Sequence, residues 1–317
     1  MPISNARFPY KYDQSHEVTV YVLVTVINLF SFGANLFVLF LVRRMRLGMN
    51  TFSHQLITCI AGVDFINTIF IFASHFARVV MGFPDNLDSA WYCRVFGLSG
   101  VLFPCFSGVL VSMLAFERFF LICLHRHIDM RVAWGILGAV GLTLAIPAIG
   151  NTVLDGYSPD PTFSFCWPNG TRWAYVENNV ITYLFIAPLC ILTFCYVAIF
   201  ITCFNHSDSP TPAQKGSTEA SVEAARMSKK VAYRALVFIF FYFMCFGPKV
   251  ITTALFMSGF GAYHPFVLYI IDPFGIQLVM CVNPILVLFL HRQFKAEAKH
   301  VLRSNRIRVE SDFKMLP

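Results

Sequence analysis

Seven stretches of the chain run apolar between breaks that carry charge, proline or glycine: residues 18–42, 53–81, 90–124, 132–154, 178–203, 229–259 and 265–290. Crossing the hydrocarbon core of a bilayer takes about 20 mostly apolar residues. Each stretch therefore predicts one spanning helix, and together they predict an all-α membrane protein, a seven-transmembrane-helix bundle. The third and sixth stretches exceed one bilayer thickness, which predicts tilt or projection into the cytoplasm. The spans form one unit over 18–290, after a short outer N-terminus (1–17). Beyond it, 291–302 carries apolar Phe294, Val301 and Leu302 among polar residues, the pattern of a short amphipathic eighth helix lying at the cytosolic interface, and 303–317 is a cytosolic tail.

Composition agrees with this pattern. The 317 residues are 57% hydrophobic, 16% aromatic and only 13% charged, where soluble domains carry roughly 25% charged residues. A soluble globular protein is excluded, and the spans leave no room for a second domain. The net charge of +7 comes from short clusters beside the spans, which topology and attraction to anionic lipid explain, so membrane lipid is a partner and nucleic acid is not. Of the 24 lysines and arginines, all but Arg7, Lys11, Arg78, Arg94, Arg172 and Lys249 fall on the side of the first, third and fifth loops and the C-terminus. The N-terminus is therefore expected outside and the C-terminus in the cytosol, in a multi-pass protein of the plasma membrane. Residues 1–17 show no apolar signal core, so the first span is expected to direct insertion.

Few features point to other classes. The loop 204–228 is rich in Ser, Thr, Ala and Glu and reads as flexible and phosphorylatable. No internal repeat favours a transporter. Asp64, Lys249 and Asp272, one charge on each of three spans, make a poor ion path. His125-Arg126-His127 is a loop pair with no third ligand, and no nucleophile converges on it, so an enzyme is not expected.

Of ten cysteines, eight lie in or beside spans, where a thiol acts as a small apolar group. Cys93, at the outer end of the third span, and Cys166, in the second outer loop, face an oxidising compartment and are expected to pair. Asn169-Gly170-Thr171 on the same loop is a glycosylation acceptor.

Inside a bilayer a charge costs several kcal/mol unless it meets a polar interior, so each such residue is a functional candidate. Asp64 is the clearest, and Asn35, Ser107 and Asn283 add polar groups at similar depth on three other spans. Two readings stand: a site for water or a sodium ion, or a structural hydrogen-bond network that holds no ion.

An ordered set of motifs accompanies them. The first span has Asn35, the second Asp64, and the third carries Cys93 twenty-five residues before Arg118 in Glu117-Arg118-Phe119. The fourth has Trp134, the fifth Pro188 and Tyr196, the sixth Cys245-Phe246-Gly247-Pro248 and the seventh Asn283-Pro284-Ile285-Leu286-Val287. Over all seven spans the chain resembles the rhodopsin-like (class A) G-protein-coupled receptors. The resemblance implies a receptor whose Arg118 contacts a heterotrimeric G protein, with Glu117, Tyr196, Phe246, Pro248, Asn283 and Pro284 forming the switch. An Arg paired with its neighbour Glu117 at rest, and released when a partner enters, is a two-state element. Prolines 188, 248 and 284 read either as hinges or as static bends.

Three departures bear on coupling. Where many family members place an acid on the sixth span to latch the arginine, this chain has Ser228; Val287 replaces the motif tyrosine; Phe246 replaces the usual tryptophan. Signalling that is weaker, differently gated or leaky would each follow, and a seven-helix membrane protein that has lost G-protein coupling is the rival reading.

The family's ligand site lies between the outer halves of the third, fifth, sixth and seventh spans. Here that site offers Gly100, Pro104, Phe185, Phe246, Lys249, Asp272, Phe274 and Gln277. Gly100 stands where amine receptors carry an aspartate, so the small-molecule ligand is expected to be apolar or anionic and not a biogenic amine. Lys249 has three readings: a side chain reaching a wet vestibule and pairing with Asp272, an anchor for an anionic head group, or a Schiff-base amine. The last arises because Glu-Arg, His291-Arg-Gln-Phe294 and Arg226-Met-Ser-Lys-Lys-Val231 look opsin-like. Opsins hold retinal on a lysine six residues before the Asn of Asn-Pro, and this chain has Gln277 there. Retinal held without a covalent bond, or on Lys249, is the alternative. The tail carries Ser304 and Ser311 and no cysteine, so any arrestin binding is expected to use the Ser/Thr-bearing loop 204–228.

Overall fold

With no water to satisfy them, backbone N–H and C=O groups in a bilayer must bond within their own segment, which makes an apolar run a helix. In the computed structural model five such helices are α1 (Gln14–Arg44), α2 (Phe52–Met81), α3 (Ala90–Cys123), α4 (Met130–Val153) and α5 (Arg172–Asp208). Among the described residues all five contain a stretch long and apolar enough to cross a membrane. The structure describes residues 14–45, 51–81, 90–159, 166–168, 171–208, 230, 233–234, 236–237, 239–245, 247, 277–288, 293–301 and 303. Those described within 230–247 are helical. Gln277–Leu288 is a helix that turns by 92° into a second helix, Gln293–Val301.

The helix ends have local causes. Asp129 caps α4 by accepting the backbone N–H of Arg131 at 2.8 Å. Thr171 caps α5, its hydroxyl accepting the N–H of Ala174 at 2.9 Å. The apolar pattern places the start of the fifth span at 178, six residues late. Trp173, Tyr175 and Glu177 dilute the run there, while the cap carries the helix back to Arg172. Thr171 also donates to buried Asn151 at 2.6 Å, so Thr171→Ala loses the cap and a buried partner together and is expected to cost about 2 kcal/mol, seen as a drop in the midpoint of thermal unfolding in detergent.

An all-helical reading omits one feature. Two three-residue strands, β1 (Tyr157–Pro159) and β2 (Cys166–Pro168), pair antiparallel with Ser158 opposite Trp167. Three residues are too few for an alternating pattern to show in the sequence.

Side chains sort by polarity in the reverse of a soluble protein. Phe40, Leu142, Ile146 and Phe194 lie exposed on the outer surface, while Asn28, Ser31, Asn35, Asp64, Asn67, Thr68 and Ser107 are buried. Lipid is as apolar as leucine and cannot satisfy an amide, so the polar residues choose which face turns inward. Around them pack Val38, Leu41, Leu56, Ile57, Leu110 and Ile199.

Candidate functional site

The interior polar cluster brings together most of its expected members. Asn283 Nδ2 donates to Asp64 Oδ2 at 2.7 Å and lies 3.3 Å from Ser107 Oγ. Tyr242 donates its hydroxyl to Asn283 Oδ1. Four segments thus meet on one asparagine: α2, α3, the 239–245 helix and Gln277–Leu288. Asn35 joins them indirectly, donating to the carbonyls of Ser31 at 3.0 Å and Met280 at 3.2 Å. Tyr242 was not anticipated, although a hydroxyl inside an apolar run is the same signal that singled out Asp64. Among the described residues Asp64 Oδ1, Asn35 Oδ1 and Asn67 Oδ1 are buried without a hydrogen-bond donor. An all-oxygen set with a bare carboxylate oxygen fits a hard cation such as sodium, or water.

At the far end of α3, Arg118 Nε stands 3.7 Å from Glu117 Oε2, with Arg118 partly exposed and Glu117 nearly buried. Ser53 Oγ lies 2.6 Å from both Glu117 oxygens, a contact that the sequence reading did not include. Tyr196 and Val287 are buried. The helix Gln293–Val301 docks here through Phe294, which is fully buried, its ring 5.6 Å from that of His54. Arg44 adds an ion pair to Glu297 at 2.7 Å. Val301 is buried as an amphipathic face requires; Leu302 lies outside the described residues.

At the opposite end the Cys93–Cys166 disulfide is formed and ties β2 to α3. Of the pocket candidates, Pro104 is buried within α3, Gly100 faces open space, and Gln277 is buried with Oε1 unpartnered among the described residues. An amide carries no nucleophilic amine, so Gln277 does not fit covalent retinal. The side chain of Phe185, and Phe246, Pro248, Lys249, Asp272, Phe274, Ser228 and Asn169, lie outside the described residues. Pro188 lies within α5 and Pro284 within Gln277–Leu288, both buried.

A buried acid that the sequence reading passed over lies close by. Glu177 is fully buried and accepts the Tyr157 hydroxyl at 2.5 Å, and its Oε2 has no donor among the described residues. It escaped notice because it falls one residue before the expected start of the fifth span. The Tyr157 ring lies so close to Gly97 of α3 that no side chain would fit there. Burial first, and then the Glu177 carboxylate, hold the Tyr157 phenol above its ordinary range, which keeps it a donor. Arg94 and Asp155 form an exposed ion pair alongside.

Comparison with known proteins agrees with this architecture. The family model "7 transmembrane receptor (rhodopsin family)" matches residues 34–287. Mouse Opsin-3 is 23% identical over 310 residues, which cover 93% of this chain and 73% of that protein. Medium-wave-sensitive opsin 1 of Sciurus carolinensis is 22% identical over 291 residues, covering 86% and 74%. Among solved structures, squid rhodopsin superposes with a TM-score of 0.71 at 17% identity, covering 93% of this chain and 87% of that one. At that identity the likeness shows the fold, the seven-helix bundle that the apolar pattern predicts.

Proposed function

The chain belongs to the rhodopsin family of seven-transmembrane receptors, and from that premise we propose that it carries the binding of a small extracellular ligand to a heterotrimeric G protein at a cytosolic cleft around Arg118. Members of this family are receptors embedded in the membrane, not enzymes. We further propose the plasma membrane, with the N-terminus outside, on the strength of the lysine and arginine distribution. The observation that carries the reading is the state of Arg118: partly exposed at a helix end and facing its neighbour Glu117 at 3.7 Å, it is open to a competing partner. The Asp64–Asn283–Tyr242 chain supplies the connection, since a shift of the helix that carries Asn283 must remake bonds to α2, α3 and the sixth span together.

The test is nucleotide exchange on a panel of heterotrimers by the purified protein, with Arg118→Ala as control. Exchange with or without ligand supports coupling. Silence across the panel favours the rival, a seven-helix protein that has lost it, for which Val287 and Ser228 are the tolerated substitutions. The ligand is proposed to be apolar or anionic, because Gly100 leaves α3 without the aspartate of amine receptors.

A second reading, a retinal-binding photoreceptor, is favoured by the opsin relatives. Gln277 removes the usual attachment point, so retinal would be held without a covalent bond or on Lys249. Absorption spectra after reconstitution with retinal isomers decide it. A visible band that survives acid trapping and disappears in Lys249→Ala is expected for attachment at Lys249. A band without an adduct marks non-covalent binding, and no band removes light from consideration.

A further inference from the structure

The departure at Ser228 leaves the sixth span without the acid that would latch Arg118 in many relatives, yet Glu117 and Arg118 are not loose. The hydroxyl of Ser53, itself 8% exposed, sits 2.6 Å from each oxygen of the Glu117 carboxylate. It has one proton, which both oxygens share, and a hydrogen bond to a carboxylate is among the stronger kinds. The same carboxylate faces Arg118 Nε at 3.7 Å. Ser53 therefore bears on where Glu117 points, and Glu117 is a group that faces Arg118.

The first turn of α2 is built to keep that hydroxyl in place. Phe52 is buried edge-on against Trp134 of α4, with ring centroids 6.0 Å apart. Gln55 accepts the Trp134 indole N–H at 3.0 Å. His54, between them, turns its ring to Phe294 of Gln293–Val301. Successive residues on a helix point about 100° apart, so 52, 54 and 55 fasten this turn to two neighbours while 53 is left facing α3. The hydroxyl is pre-positioned rather than captured by chance.

We propose that Ser53 is a positioning residue that holds Glu117, and through it Arg118, in the resting arrangement, so that a latch of this receptor runs between α2 and α3. The proposal rests on the receptor reading above. Opening then requires breaking the Ser53–Glu117 bond, and Gln293–Val301 is coupled to that event through Phe294 and His54.

The experiment measures basal nucleotide exchange by the full chain in lipid nanodiscs. Ser53→Ala is expected to raise basal exchange about tenfold, the equivalent of about 1.4 kcal/mol in the resting equilibrium. Ser53→Thr, which keeps the hydroxyl, is expected to stay near the parent level. Glu117→Gln is expected to rise as well, and the Ser53→Ala/Glu117→Gln pair to rise no further than Glu117→Gln alone, because both remove one bond. A role limited to stability would lower the unfolding temperature in Ser53→Ala without raising exchange, and that result overturns the proposal, as does additivity in the double variant.

If no heterotrimer responds to any form, the receptor reading fails and the latch is tested separately. A 19F reporter is placed by Tyr233→Cys at an exposed position of the sixth span, in a Cys190→Ser background. A second resonance that gains population in Ser53→Ala but not in Ser53→Thr supports the latch. Identical spectra overturn it.

Discussion

Arg118→Ala is expected to lower receptor-driven nucleotide exchange at least about 30-fold while leaving the folded protein nearly as stable as its parent. Two energies separate these effects. In the resting structure Arg118 is partly exposed and its contact with Glu117 spans 3.7 Å. A partly solvated pair at this distance contributes about 0–1 kcal/mol, so loss of the Glu117 contact should move the midpoint of thermal unfolding little. In the coupled complex the guanidinium would be covered by the partner, and truncating one side of a buried charged contact costs about 2–5 kcal/mol. Parallel measurement of exchange rate and thermal midpoint checks both halves. Exchange that persists in Arg118→Ala would place the G-protein contact elsewhere, and a collapse of stability would mean that Arg118 is held by more than Glu117.

Tyr196 and Val287 explain why this end is sensitive to a single residue. Both are buried, and a valine offers no hydroxyl that could bridge to Tyr196. An active state of this chain would lack that stabilising bridge. Ser53 stands on the opposite scale and stabilises the resting state. Basal output therefore depends on the balance of Ser53–Glu117 against the partner's hold on Arg118, and both terms are small enough for one substitution to tip.

What could be read from the sequence follows from how strongly lipid constrains it. Spans were legible because a bilayer demands long apolar runs, and Asp64, Asn35, Ser107 and Asn283 because a polar residue in such a run must turn inward. Contacts between a polar residue near a span end and another element leave no such mark. Ser53 sits where span and loop meet, and serine there is unremarkable until α3 is seen to bring Glu117 opposite. Glu177 lies ahead of the expected start of α5, where an acid reads as loop. Tyr157 belongs to a strand of three residues. The partners in these pairs are 64 and 20 residues apart, and no local periodicity encodes a meeting at such separations. Location did carry Cys93 to Cys166, because these two thiols, one at the outer end of a span and one in an outer loop, face the oxidising side.

Tyr157→Phe is expected to destabilise the protein by about 3 kcal/mol, more than the loss of one ordinary hydrogen bond. Glu177 is buried and accepts the Tyr157 hydroxyl at 2.5 Å, while its Oε2 has no hydrogen-bond donor among the described residues. Removing that hydroxyl takes the close donor from a buried carboxyl group, which costs part of its desolvation as well as the bond. The ring itself remains against Gly97, so the change isolates the hydroxyl and creates no cavity. Tyr157→Phe combined with Glu177→Leu should recover much of the loss, because an apolar pair leaves nothing unsatisfied. The rate of thermal inactivation in detergent measures both variants. The parent should show a matching pH dependence at the alkaline end: the phenol is held above its ordinary value in the fold, so its contribution is intact below the unfolded value of about 10 and declines as pH rises beyond it. Tyr157→Phe should lack that decline. If instead Glu177→Leu alone is as damaging as Tyr157→Phe and the pair restores nothing, the clasp between β1 and α5 acts through packing rather than through its hydrogen bond.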